Sequence, residues 1–188
     1  MYQNLYALYE KITPLSPGLR EYLNDTIKSS QYPKKHILLK EGEVCKNIYF
    51  VEDGFSRAYY KRNGKEMTSW FSGTGEVVIS VHSFFKQMAS IESVELLADS
   101  TLLSLTHQEL QYAYAQFPEF NVIGRVLTEK YYIHSEERAM ALRVFSAKER
   151  YENLLKMYPQ ILQKASLGQI ASHLGITQET LSRVRGAK

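Results

Sequence analysis

The chain has 188 residues, of which 44% are hydrophobic and 23% charged, and a formal net charge of +3. That is the ordinary composition of a water-soluble globular chain, long enough for one large domain or two small ones. A lone cysteine, Cys45, excludes an internal disulfide and a cysteine cluster, and no apolar run approaches the ~20 residues of a membrane-spanning helix.

The N-terminus lacks the basic, then apolar, then small-residue order of a secretory leader, so a cytoplasmic protein without a membrane partner is expected. The five histidines, His36, His82, His107, His134 and His173, show no zinc-ligand spacing, and no metal or cofactor is expected. Charge is unevenly spread. Residues 1–121 hold 12 Lys and Arg against 14 Asp and Glu, whereas residues 122–188 hold 11 against 6. A basic final third suits a polyanionic partner at that end; a solvated basic surface is the plainer alternative.

In chain order, Leu5, Leu8, Tyr9 and Ile12 recur at helical spacing until "TPLSPG" breaks the pattern. "SPGLREYLNDTIKSS" reads as a second short helix, with Ser16 as N-cap and Pro17 at the first helical position. From about residue 31 the period changes. Short β-branched and aromatic runs are cut by turn signals such as "EDG" and "RNGK", and Asn63-Gly64 suits the positive φ values of a tight hairpin turn. "EVVISVHSFF" and "ASIESVELLADSTLLSLT" continue this way, which predicts a sandwich or barrel of roughly eight strands.

After "THQELQYAYAQFPEF" the helical period returns. "EFNVIGRVLTEKYYIHSEERAMALRVF" has no proline and predicts a helix of about 25 residues, roughly 37 Å long. Ile123, Val126, Ile133, Met140 and Val144 form one stripe, interrupted by Lys130 and Glu137; Leu127, Tyr131, His134 and Ala141 form a neighbouring one. Two partly apolar faces allow the helix to pack on its own β-domain and to pair with a twin. "SAKERYENLLKMYPQILQKA" predicts one more helix, ended near Pro159.

The last stretch, "SLGQIASHLGITQETLSRVR", carries the most chemistry. Ser166 and Gln169 form a capping box. Ile170, Ala171 and Leu174 make the inner face of the helix, Gly175 ends it where positive φ is needed, and Thr177 caps the next one. Leu181 and Val184 then point inward, leaving Gln178, Glu179, Ser182 and Arg183 outward. This is the pattern of a helix-turn-helix, whose second helix offers its N-terminal side chains to the major groove. Arg can bond guanine, Gln adenine, and Glu the cytosine amine. Thr177, Thr180, Arg185 and Lys188 suit phosphate oxygens. The competing reading is an ordinary helical hairpin within a larger domain.

At this point the sequence resembles the cyclic-AMP receptor protein/FNR (Crp/Fnr) superfamily of bacterial transcription regulators. "LKEGEVCKNIYFVEDGFSRAYY", with Gly42 and Gly54 flanking an apolar strand, is similar to the family's β-roll signature. "QIASHLGITQETLSRVR" is similar to its DNA-binding head. The resemblance implies an α+β chain in three parts: a cyclic-nucleotide-binding-like β-roll of jelly-roll type over 1–115, a long dimerisation helix over 116–145, and a winged-helix-like helix-turn-helix domain over 146–188. It also implies a homodimer on a pseudo-palindromic double-stranded operator, an RNA polymerase contact, a small-molecule effector of unknown identity, and base reading by Gln178, Glu179 and Arg183.

The effector region departs from the family pattern. Cyclic-nucleotide binders of the family carry a Gly-Glu pair and, about ten residues later, an Arg-Ser pair. Here Ile79-Ser80 and Ser90-Ile91 fall near those places, and the region has no Arg. A buried phosphate without a cationic partner faces several kcal/mol of desolvation, which a bidentate Arg normally offsets. No response to cyclic AMP is therefore expected. Ser80, Ser83, Ser90 and the pair Phe84-Phe85 are left, with Ile79, as candidates for a different pocket. Cys45 alone cannot hold an iron–sulfur cluster, and His82 is the lone haem-ligand candidate of the region. No Gly-rich phosphate loop or nucleophile elbow points to an enzyme. The alternative function is a ligand-binding β-roll that works through protein–protein contacts without DNA.

Overall fold

The computed structural model describes residues 2–186. Two N-terminal helices, α1 (Gln3–Glu10) and α2 (Pro17–Thr26), lead into eight strands. These are β1 (Lys28–Tyr32), β2 (Ile37–Leu39), β3 (Asn47–Asp53), β4 (Phe55–Arg62), β5 (Lys65–Gly73), β6 (Val77–Val78), β7 (Ser93–Leu96) and β8 (Ser100–Thr106). A short helix, α3 (Val81–Lys86), interrupts them between β6 and β7. The strands form two four-stranded antiparallel sheets, ordered β1-β8-β3-β6 and β2-β7-β4-β5. Every sequential pair except the β4–β5 hairpin is thus split between the sheets, as in a jelly roll. Asn63 and Gly64 take φ of +52° and +73° in the β4–β5 turn, as their sequence signals.

The chain then becomes helical: α4 (His107–Gln116), α5 (Pro118–Val144), α6 (Ala147–Met157), α7 (Ile161–Lys164), α8 (Leu167–His173) and α9 (Gln178–Gly186). One buried cluster fills the roll and the underside of the N-terminal helices, with Leu19, Leu23, Val51, Phe84, Leu96 and Ile123 at its centre. A second joins Phe55, Phe71 and Leu97 of the roll to Tyr151, Leu154, Ile161, Ile170 and Leu181 of the C-terminal helices. The molecule is an α+β protein built on an eight-stranded β-roll.

Four local expectations are corrected. The second helix stops at Thr26, because Lys28–Tyr32 pairs with β8 instead. The 76–91 stretch is not all strand: α3 occupies its middle, turning Ser83 and Phe84 into the core. The helical period resumes at His107, not after residue 120, because Thr106 and Glu109 form a capping box that starts α4. No strand follows β8 among the described residues, so the winged element has no counterpart there; the connections from 147 onward are too short to pair.

Candidate functional site

Residues 166–186 form two helices around a tight turn. Ser166 Oγ accepts from Gln169 N at 3.2 Å, and Gln169 Oε1 accepts from Ser166 N at 2.8 Å. Gly175 sits at φ +67°, and Ile176 N donates back to Ala171 O at 3.0 Å, closing the end of α8. Thr177 Oγ1 accepts from Thr180 N at 3.2 Å and so caps α9. Leu181, fully buried, pins α9 onto the helices beneath; burial of a leucine of this kind contributes about 1.5–3 kcal/mol.

The opposite face of α9 is open. Thr177, Gln178, Glu179, Ser182, Arg183 and Arg185 are exposed, and Thr180 is half-buried. Arg183 Nη2 rests 3.3 Å from Thr180 Oγ1, a light contact that leaves most of its donors free. Lys188 lies outside the described residues.

The roll's candidate pocket divides differently from the sequence expectation. Ile79 and Ser80 line a cavity of about 540 Å³, together with Leu39, Glu43, Cys45 and Lys46. Ser83 does not, since its hydroxyl accepts from Cys45 N at 2.8 Å and donates to Met88 O. Phe84 is wholly buried, against Phe85 and His107. Ser80 and Ser90 do meet, with their hydroxyls 3.1 Å apart. Bonded to both is a residue the sequence reading missed, Glu92. Its Oε1 accepts from Ser80 Oγ at 2.8 Å, its Oε2 lies 3.4 Å from Ser69 Oγ, and Ser90 Oγ donates to its carbonyl at 2.7 Å. The two serines that fall near the family's ribose-acceptor and phosphate-cation positions are thus tied to Glu92, Ser80 through its carboxylate and Ser90 through its backbone carbonyl. Arg57, buried on the same sheet, shares a face with its cross-strand partner Phe71 and pairs with Glu66 and Glu95.

Helix α5 closes the roll. Tyr131 accepts from Val77 N through its hydroxyl at 2.7 Å, and burial pushes its phenol up to about 12, so it stays neutral. Farther along, the C-terminal helices dock on the outer face of β4 and β5. Thr68 N, on the edge strand, donates to Ser172 Oγ at 2.9 Å, which covers an otherwise open β edge. The Tyr158 hydroxyl is 2.9 Å from both Phe71 O and Glu76 Oε2; burial and that carboxylate hold its pKa far above the ordinary range. Arg138 Nη1 donates to His173 O at 3.0 Å and lies 3.3 Å from His173 Nε2. Burial and then Arg138 depress the His173 pKa to about 3, so the ring is neutral. Capping residues and helical spacing could signal α8 and α9. Nothing local could signal that His173 and Tyr158 both meet Phe71 of the roll, across 102 and 87 positions of chain.

Residues 29–117 match the family model described as "Cyclic nucleotide-binding domain". No curated protein matches the sequence. Among solved structures, FixK2 from Bradyrhizobium japonicum is similar at 21% identity and a TM-score of 0.74, over 86% of this chain and 83% of that one. The c-di-GMP responsive global regulator CLP of Xanthomonas campestris is similar at 17% identity and 0.70, over 91% of this chain and 90% of that one. A putative transcriptional regulator of the crp/fnr family from Eubacterium rectale is similar at 18% identity and 0.70, over 90% and 82%. The shared property at these identities is the fold.

Proposed function

We propose that this chain is a dimeric, sequence-specific DNA-binding transcriptional regulator of the Crp/Fnr type, acting in the cytoplasm and without an enzymatic reaction. The observation that carries this reading is the outer face of α9, where Gln178, Glu179 and Arg183 stand exposed on a helix anchored by Leu181. The regulators named among the similar folds support it, as does the excess of basic residues after 121. One α9 from each of two subunits enters the major groove. Thr177, Thr180, Ser182 and Arg185, with Lys188, position it on phosphates, and Gln178, Glu179 and Arg183 read base edges.

The twin is supplied by α5. Tyr132, Ile133, Met140 and Val144 are exposed along one side of it, an apolar stripe that a second copy would bury. Two-fold symmetry then requires a pseudo-palindromic site with half-site centres about 34 Å apart. The roll does not take cyclic AMP: the Glu92 carboxylate accepts from Ser80, which meets Ser90, close to the place where the phosphate of a cyclic nucleotide would need a cation. RNA polymerase and an effector remain partners of this reading.

Selection of duplexes from a randomised pool, followed by anisotropy titration, tests it. The expected product is an inverted repeat whose affinity falls steeply with salt as phosphate contacts release counterions. Arg183→Ala should cost about 1–3 kcal/mol and relax preference at one base pair per half-site. A pool that yields no repeat, with binding absent or indifferent to salt, overturns the reading and favours a module that contacts other proteins.

A further inference from the structure

A second cleft, of about 400 Å³, lies where the long helix, α6, α8 and β5 meet. Its apolar walls include Trp70, Met140 and Met157, and its polar lining includes Arg138, Arg150 and His173. That size lies within the range of small-molecule sites. We infer that this cleft binds a small molecule carrying one anionic group on an aromatic or apolar body, a site distinct from the roll cavity.

The cleft is lined by cationic donors that lack anionic partners. Neither Arg138 nor Arg150 has a carboxylate within 4.0 Å among the described residues. Arg138 Nη1 spends a donor on His173 O, and Arg150 Nη1 spends one on Phe145 O at 2.9 Å; both partners are neutral carbonyls. Arg150 Nε is buried with no partner. Arginine has only donors, so the contact of Arg138 with His173 Nε2 leaves the ring proton on Nδ1. Two guanidinium groups without a carboxylate, one of them Arg150 with its unpaired Nε, thus line one space, and Glu137 at its lip is exposed to solvent. Buried donors left unmatched are costly, and an acceptor-rich anion is what satisfies them. A carboxylate on an aromatic ring would meet the arginines with its charge and Trp70, Phe71 and the methionines with its body.

The chain's single tryptophan, Trp70, lines the cleft, so its fluorescence reads occupancy directly. The test is titration of the full-length protein with 4-nitrobenzoate, an aromatic anion that quenches tryptophan, and with the neutral 4-nitrobenzamide. The expected result is saturable quenching by the acid, with the amide at least tenfold weaker. Arg150→Gln should weaken the acid at least tenfold without moving the amide, and Ala141→Phe, which fills the cleft, should abolish saturation. Quenching that never saturates, or equal affinity for acid and amide, overturns the inference. So does an affinity unchanged in a folded Arg150→Gln. Should that variant fail to fold, the acid and amide comparison on the unaltered protein decides alone. No step of the test uses DNA, so its outcome and that of the operator selection are independent.

Discussion

In the proposed function, Glu92 is the residue that keeps a cyclic nucleotide out of the roll. Its carboxylate accepts from Ser80, its backbone carbonyl accepts from Ser90, and after burial it is Glu92 that holds the Tyr60 phenol above its ordinary pKa. A cyclic phosphate placed there would meet like charge instead of a guanidinium, and like charges at close range in a desolvated pocket cost several kcal/mol. The expected outcome of a thermal-melt assay with 1 mM cyclic AMP is an unchanged midpoint. A ligand held at 10 μM would add about 2.7 kcal/mol at that concentration, roughly 5–10 °C for a chain of this length. A rise of that size would overturn the exclusion. The serines were visible in the sequence. The acid two residues beyond was visible too, but only the turn at 90–92 brings it back onto Ser80.

At the scale of elements, α5 works on two sides. Ile123 is buried in the roll's core and Tyr131 seals the strand end at Val77, whereas Ile133, Met140 and Val144 face out, 54%, 48% and 70% exposed. Spacing by three and four signalled apolar positions on adjacent faces but placed Ile123 in one stripe with Ile133, Met140 and Val144; the structure splits that stripe, burying Ile123 in the roll and leaving the other three exposed. A charge in the outer stripe should separate a dimer while leaving the buried face untouched. Ile133→Glu is expected to weaken self-association about 100-fold or more, as each copy would bury an unpaired carboxylate at about 3 kcal/mol or above. Sedimentation at micromolar concentration checks this, and a variant that sediments as the parent does would rule out this stripe as the seam. Helix starts were equally readable at Ser16 and Ser166, where the cap and its partner are neighbours in sequence. Thr106 with Glu109 carried the same signal, masked by the aromatic run behind it.

At the scale of the whole molecule, the seam between roll and C-terminal helices is the feature on which stability should depend most on acidity. His173 packs 4.8 Å from the Phe71 ring and beside Arg138. Its folded pKa, about 3, lies below the ordinary value of 6.5. The unfolded chain therefore binds the proton more readily, and stability falls as pH drops from 6.5 toward 3. Between pH 6.5 and 5 the loss should be about 1–2 kcal/mol. Urea unfolding at the two pH values checks it: the parent should lose midpoint, and His173→Gln should lose markedly less. Equal losses in the two proteins would show that this ring does not govern the seam.

What the chain's linear order determined by itself was everything set by near neighbours. That includes the change from β to helical period, the Asn63-Gly64 turn, the caps of α8 and α9, and the outward set Gln178, Glu179 and Arg183, because hydrophobic period and capping chemistry act within about a turn of chain. The tertiary structure alone decided that Lys28–Tyr32 is a strand, that Ser83 and Phe84 belong to the core, that Glu92 occupies the roll's polar corner, and that Arg138, Arg150 and His173 share a cleft. Each of these depends on partners far away in sequence, and local propensity cannot report a contact that only chain closure creates.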